Sequence, residues 1–394
     1  MKNNKILYLC PNYPFPANSG GLQCLRSHVE DIASSKYARF TKYIFCTRNV
    51  DNEKIDLDID YDIVYAKFSK TPSINNKIKR LLALFSKLPF YTSLNIDKDA
   101  NKIDVKKINP GLIILDDLRG LVFLPKNKNY KLVYIAHNLE YEYELDLARL
   151  EKGKIFKILQ YIDAFKMKFL EKEILKKADK IVCVSTSDCK VISSKYKEKT
   201  ILMPHKIKLQ KDKWVGSSEK TLFFCGPAWF QPNLEAIEWI VNELAPVLSK
   251  DTKIKIAGKY TDELPQSLQR DNVEFLGFVS KEELYDLYKT SSAFLCPIVY
   301  GSGVKIKLTE AIGYGTPVIA TPESLEGLDY LDIKPLIDRN DLQKTKQNIE
   351  ELLSNKEKLH NYSKDLINQV ESFQNENDIT LEKIIGEYID EQSV

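Results

Sequence analysis

Short apolar runs alternate along this chain with longer stretches of helix-spaced residues, and that alternation predicts strand, helix, strand from end to end. KILYLC near the start, ARFTKYIFCTR, DIDYDIVYAKF, GLIILD (Gly111 to Asp116), KLVYIA (Lys131 to Ala136) and ADKIVCVSTS each contain a continuous apolar run, as strands buried on both faces do. Leu22 to Ser34 and Lys152 to Lys177 lie between them with helical spacing. Strands that alternate with helices in this way pack as a parallel sheet covered on both sides.

The series begins again after a lysine-rich segment that ends near Lys220. TLFFC, KIKIA, NVEFLGFV, AFLCPIV (Ala293 to Val299) and TPVIAT read as a second set of strands, with helices from Asn233, over KEELYDLYKTS and over Val304 to Ile312. A chain of 394 residues exceeds what one core usually supports, so two domains of about 200 residues are expected. The predicted units are residues 1–207 and 208–370, each α/β.

Composition narrows the function. With 43% hydrophobic and 29% charged residues the balance is that of a soluble globular protein, and a formal net charge of +3 is too small to imply nucleic-acid binding. No run of roughly 18 apolar residues occurs, and the first apolar run is short and broken by Pro11 and Pro14, so the expected location is the cytoplasm. Cys10, Cys46, Cys183, Cys225 and Cys296 sit in or beside apolar runs and no CxxC pair is present, which predicts buried thiols and no metal centre.

The candidate chemistry concentrates in Cys296 to Pro322, CPIVYGSGVKIKLTEAIGYGTPVIATP. A strand end, a glycine loop and a helix follow one another there. Glycines admit a ligand close to the backbone, and a helix N-terminus presents unpaired N–H groups and a positive dipole end to an anion. Lys305 and Lys307 add charge in the first turns, and Glu310 can accept hydrogen bonds from sugar hydroxyls. Gly313 and Gly315 are expected to close the helix. At the other end of the chain, the Pro-rich loop before Gly20 and Gly21 follows the first strand, and His137 lies just past the strand KLVYIA. In open parallel sheets both are ligand-facing positions.

GSGVKIKLTEA followed by GYGTPVIAT resembles the nucleotide-sugar glycosyltransferases of the GT-B fold, in particular the large retaining family 4, and FFCGPAWFQPN and NVEFLGFV fit the same family. The resemblance implies two Rossmann-like domains facing a cleft, with a final helix, residues 371–394, crossing back to the first. It implies a nucleotide diphosphate sugar as donor substrate, no cofactor, and transfer to a hydroxyl of a glycan or lipid-linked acceptor in cell-surface polysaccharide or glycoconjugate synthesis. Gly226, Val279, Gly301, Ser302, Gly303, Val304, Lys305, Lys307 and Glu310 are the donor-binding residues it suggests, Gly20 and Gly21 a loop beside the donor phosphates, and His137, Lys307 and Glu310 the catalytic set. No metal is expected, since lysines and a helix N-terminus can neutralise the leaving diphosphate.

The chain departs from the family pattern in three places. No arginine or lysine occurs between Thr221 and Pro246, Ser302 stands where many members carry a first glutamate, and His205-Lys206 replaces Asn-Gly. A nucleotide-sugar epimerase of the same architecture and a nucleotide-sugar-binding scaffold without catalysis are the alternatives. The sequence names neither base, sugar nor acceptor. A last feature lies outside the motifs: Lys67, Lys70, Lys77, Lys79, Arg80 and Lys87 follow one another without an acidic residue, among apolar residues, and suit peripheral attachment to an anionic membrane surface.

Overall fold

The computed structural model describes residues 4–15, 17, 20–47, 55, 57–65, 87–89, 105–125, 127–151, 153–300, 304–377 and 379–389. Lys67 to Arg80 of the basic run, and Gly301, Ser302 and Gly303, lie outside them. The chain divides into one unit of Met1–Pro204 with Ile379–Val394 and a second of His205–Asp378.

In the first unit, strands β1 (Ile6–Cys10), β2 (Thr41–Thr47), β3 (Asp60–Tyr65), β4 (Leu112–Asp116), β5 (Lys131–Ala136), β6 (Lys180–Cys183) and β7 (Thr200–Leu202) form a sheet in the order β3-β2-β1-β4-β5-β6-β7. All these pairings are parallel. Helices α1 (Gly20–Ala33), α2 (Glu140–Leu150), α3 (Lys154–Lys177) and α4 (Thr186–Tyr196) fall between strands. Because side chains alternate across a strand, the sheet has two apolar faces. Tyr8, Ile114, Val133 and Ile135 pack with Leu25, Val29 and Ile32 of α1. Leu7, Ile113, Leu115 and Tyr134 pack on the opposite face with Met167, Leu170 and Ile174 of α3. The C-terminal helix Leu381–Ile389 joins the α1 face, where Asp31 accepts a hydrogen bond from the Leu381 amide at 2.9 Å and Lys180 pairs with Glu387.

Gly20 and Gly21 belong to the first turn of α1, not to a loop before it. The first amides of a helix need no intrahelical partner, so the turn extends through both glycines. A side chain at Gly21 would meet nothing within 4 Å.

The second unit holds β8 (Lys220–Cys225), β9 (Thr252–Ala257), β10 (Val273–Gly277), β11 (Ala293–Cys296) and β12 (Val318–Ala320), parallel in the order β10-β9-β8-β11-β12. Helices α5 (Gln231–Trp239), α6 (Lys281–Thr290), α7 (Ile306–Tyr314), α8 (Leu342–Leu353) and α9 (Lys356–Glu376) complete it. A capping box of Ser280 and Glu283 starts α6. Gly313 lies inside α7, and Gly315 alone ends it, at φ 77°, the left-handed conformation that glycine adopts without penalty. The return to the first unit begins at Ile379, not at residue 371. The reason is α9, which continues on the second unit: Phe373 stacks on Tyr330 with ring centres 3.9 Å apart, and Gln374 donates to the Ile207 carbonyl at 2.7 Å.

Strand order reverses between β1 and β4 in the first sheet and between β8 and β11 in the second. The carboxyl ends of those strands are where doubly wound sheets gather ligands.

Candidate functional site

Polar groups collect at both reversal points. In the first unit Asp116 ends β4 opposite Ile135 of β5, and Tyr8 of β1 lies opposite Ile114. Residues two apart share a face, so Tyr8, Asp116 and His137, two past Ile135, all turn toward α1. That helix brings Cys24 and His28, one turn apart. Asp116 is fully buried and accepts a hydrogen bond from the Tyr8 hydroxyl. Its Oδ2 lies 2.8 Å from His28 Nδ1, and its Oδ1 pairs with His137 Nε2. Cys24 Sγ is 3.7 Å from His137 Nδ1 and 4.0 Å from His28 Nε2.

Charge decides how this cluster behaves. Burial disfavours an imidazolium, but the Asp116 carboxylate outweighs it: His28 is raised to about 10 and His137 well above the ordinary histidine value. Burial would raise Asp116, yet the two imidazoles hold it far below the carboxylate range. Tyr8 is pushed up by burial and then by Asp116. Among the described residues, His28, Asp116 and His137 are a group whose ligating atoms, within 4.8 Å of one another, could hold a metal ion. Each imidazole spends one nitrogen on Asp116, and its other nitrogen lies within 4.0 Å of Cys24 Sγ.

In the second unit Gly226 follows β8 and its amide donates to Ala257 at 2.8 Å. Lys307, in the first turn of α7, reaches back beneath this turn. It donates to Asn233 Oδ1 at 2.6 Å, and its Nζ lies 4.5 Å from the centre of the Phe224 ring. Burial lowers its pKa. Asn233, in the first turn of α5, donates in turn to the Pro227 carbonyl at 3.1 Å. A Cβ at Gly226 would fall 2.6 Å from Lys307 Nζ. Glu310, one turn after Lys307, accepts a hydrogen bond from the Tyr288 hydroxyl at 3.0 Å, and that hydroxyl lies 3.2 Å from Cys225 Sγ. Burial raises the Cys225 thiol to about 12.

Of the remaining sequence candidates, Val304 and Lys305 directly precede α7 and Val279 follows β10. Lys305 is the half-buried residue before α7, whose N-terminus has no side-chain cap, and Val304 packs on the core. Val279 packs on the core between β10 and α6, while Phe278 beside it is exposed with Lys259 Nζ 5.2 Å from its ring centre. Gly301, Ser302 and Gly303 lie outside the described residues.

Gly258, after β9, tests how tightly these turns are nested. A Cβ there would fall 2.1 Å from the Gly226 carbonyl oxygen, a backbone atom with little freedom to retreat. Gly258→Ala is expected to destabilise the second unit by about 3 kcal/mol, read as a shift in its denaturant midpoint. An unchanged midpoint would contradict the close approach.

Two doubly wound parallel sheets in one chain, each with polar groups at its reversal point, make the architecture of the GT-B glycosyltransferases. Residues 219–355 match the family described as Glycosyl transferases group 1. An uncharacterized 44.6 kDa protein from the cps region of Klebsiella pneumoniae is 22% identical over 355 residues, which are 86% of this chain and 88% of that one. HepE from Anabaena, solved with UDP and glucose, has the same fold at a TM-score of 0.59 and 12% identity, over 98% of this chain and 95% of its own. TarM of S. aureus gives a TM-score of 0.59 at 10% identity, over 93% and 95%. The resemblance to the nucleotide-sugar glycosyltransferases of group 1, read from the sequence, holds. No helix among the described residues is long and apolar enough to cross a membrane.

Proposed function

We propose that the chain moves a sugar from a nucleotide diphosphate sugar to a hydroxyl of a glycan or lipid-linked acceptor, in the synthesis of a cell-surface polysaccharide or glycoconjugate. The observation that carries this reading is Lys307, an ammonium seated under the Gly226 turn at the β8 and β11 reversal point, beside an uncapped helix N-terminus. Departure of the nucleotide leaves new charge on a diphosphate, and a fixed cation with aimed N–H groups lowers that barrier most. The Gly301 to Val304 amides, Lys305 and Lys307 take the diphosphate in this reading, Glu310 the ribose, and Val279 the base. These groups supply the positive charge without a metal ion. The match to group 1 and the relative from a cps region support the assignment. Retention of configuration follows the family resemblance.

His137 takes the sugar or acceptor side. With Asp116 on Nε2 favouring its charged form, it offers a ligand oxygen the Nδ1–H that otherwise faces Cys24 Sγ at 3.7 Å, and does not act as a base toward the acceptor. His137→Ala is therefore expected to lower turnover while nucleotide affinity, a property of the second unit, stays within about twofold of wild type. Calorimetry that shows a large loss of nucleotide binding would contradict this division.

The reaction itself is tested with UDP-, GDP-, ADP-, CMP- and dTDP-sugars, each with and without oligosaccharide and polyprenyl-linked acceptors. Nucleotide released only when acceptor is present supports the transfer. An interconverted nucleotide sugar without acceptor would indicate an epimerase, and binding without turnover a scaffold.

A further inference from the structure

Helix α3 is apolar on two sides. Leu159, Ala164, Met167, Leu170 and Ile174 are buried against the first unit. Ile155, Ile158, Tyr161, Phe165 and Phe169 are not: they are between 41% and 73% exposed. At 100° per residue these five fall on one side of the helix, opposite the buried residues, in a stripe about 21 Å long. Phe165 and Phe169 pack edge to face with ring centres 4.9 Å apart, so the stripe is a continuous surface and not a scatter of single residues. A helix that had only to cover its own sheet would carry polar groups there.

The charge around the stripe identifies what it meets. Lys154, Lys168 and Lys172 are exposed beside it, and Lys157 and Lys166 are half-buried. Between Lys154 and Lys172 the helix has two acidic residues, the buried Asp163 and the half-buried Glu171. The next, Glu173, is paired with Lys177 at 2.5 Å. A second copy of the chain docking this face on its own equivalent would set lysines against lysines. A surface of anionic phospholipid answers both features: headgroup charge for the lysines and an acyl boundary for the aromatic rings.

We propose that the outward face of α3 is a membrane-docking surface that inserts Ile155, Ile158, Phe165 and Phe169 into the headgroup region of an anionic bilayer. The surface is distinct from the basic run Lys67 to Lys87 expected from the sequence. It stands independently of the transfer reaction, because none of its residues belongs to the candidate site.

The test is co-sedimentation of the full chain with vesicles of phosphatidylcholine alone and with phosphatidylglycerol added, across ionic strength. Wild type is expected to bind the anionic vesicles at low salt and to be released as salt rises. Phe165→Ser with Phe169→Ser is expected to weaken partitioning about tenfold or more, and Lys154→Gln, Lys168→Gln and Lys172→Gln together by at least about tenfold, with melting temperatures unchanged since all five side chains are exposed. Wild type that stays in the supernatant at low salt overturns the proposal. So do Phe165 and Phe169 variants that bind as wild type does, or light scattering that shows a dimer lost in those variants.

Discussion

Lys307→Ala is expected to lower turnover about a hundredfold, roughly 3 kcal/mol of transition-state stabilisation, while the second unit remains folded. Among the described residues the ammonium's side-chain hydrogen-bond acceptor is Asn233 Oδ1 at 2.6 Å, which leaves donors for a ligand beneath the Gly226 turn. Lys307 Nζ also lies 4.5 Å from the centre of the Phe224 ring, so alanine removes packing as well as charge. Lys307→Met separates the two causes, because it keeps an apolar stem over the ring and removes only the charge. Steady-state rates for the two variants should agree within a few-fold, and both should fall far below wild type. Methionine near wild-type turnover would mean that the charge is idle and that the diphosphate is held elsewhere. Burial already lowers the lysine's pKa, and a bound diphosphate would reverse that shift, so nucleotide binding should take up protons as pH rises toward the lysine's own titration.

The two sheets were legible in the sequence because parallel strands buried on both faces appear as unbroken apolar runs, and GLIILD and KLVYIA became adjacent strands. His137 was legible for the same reason, as the first polar residue past a strand. Its partner was not. Asp116 ends GLIILD just as visibly, but only the register of β4 on β5 turns the two side chains to one face, and His28 is 88 residues away in sequence, on a helix whose inward side no spacing identifies. Cys24 lies among helix-spaced residues, and no spacing ties it to either histidine. In the second unit Lys307 and Glu310 stood out on one helix face, yet Asn233 and Tyr288, which hold them, come from other helices. Helix α3 shows a different limit. Its apolar residues and lysines predict a helix packed partly on the first sheet, but spacing alone does not say which of its two apolar sides faces out.

Asp116→Asn is expected to cost the first unit about 3–5 kcal/mol, because it removes the carboxylate that balances one buried and one half-buried imidazole and leaves the Tyr8 hydroxyl with a weaker acceptor. For a unit of this size that is a fall of about 10 °C in its calorimetric transition. The sign of the pH dependence follows from the directions of the shifts. His28 moves from 6.5 to about 10 on folding, so its contribution is complete below 6.5 and disappears as pH rises toward about 10. Asp116 moves down from 3.8, so its contribution is complete above that value and disappears as pH falls through the lower folded one. The gap between wild type and variant should therefore be widest from about pH 4 to 6.5 and narrow steadily from there to pH 10. Nucleotide binding by the second unit should be untouched by the substitution, while turnover falls because His137 loses the group that orients and charges it. A gap that stays constant from pH 6 to 10 would show that Asp116 holds its neighbours by hydrogen bonds alone, with the imidazoles neutral, and would contradict the donor role of His137.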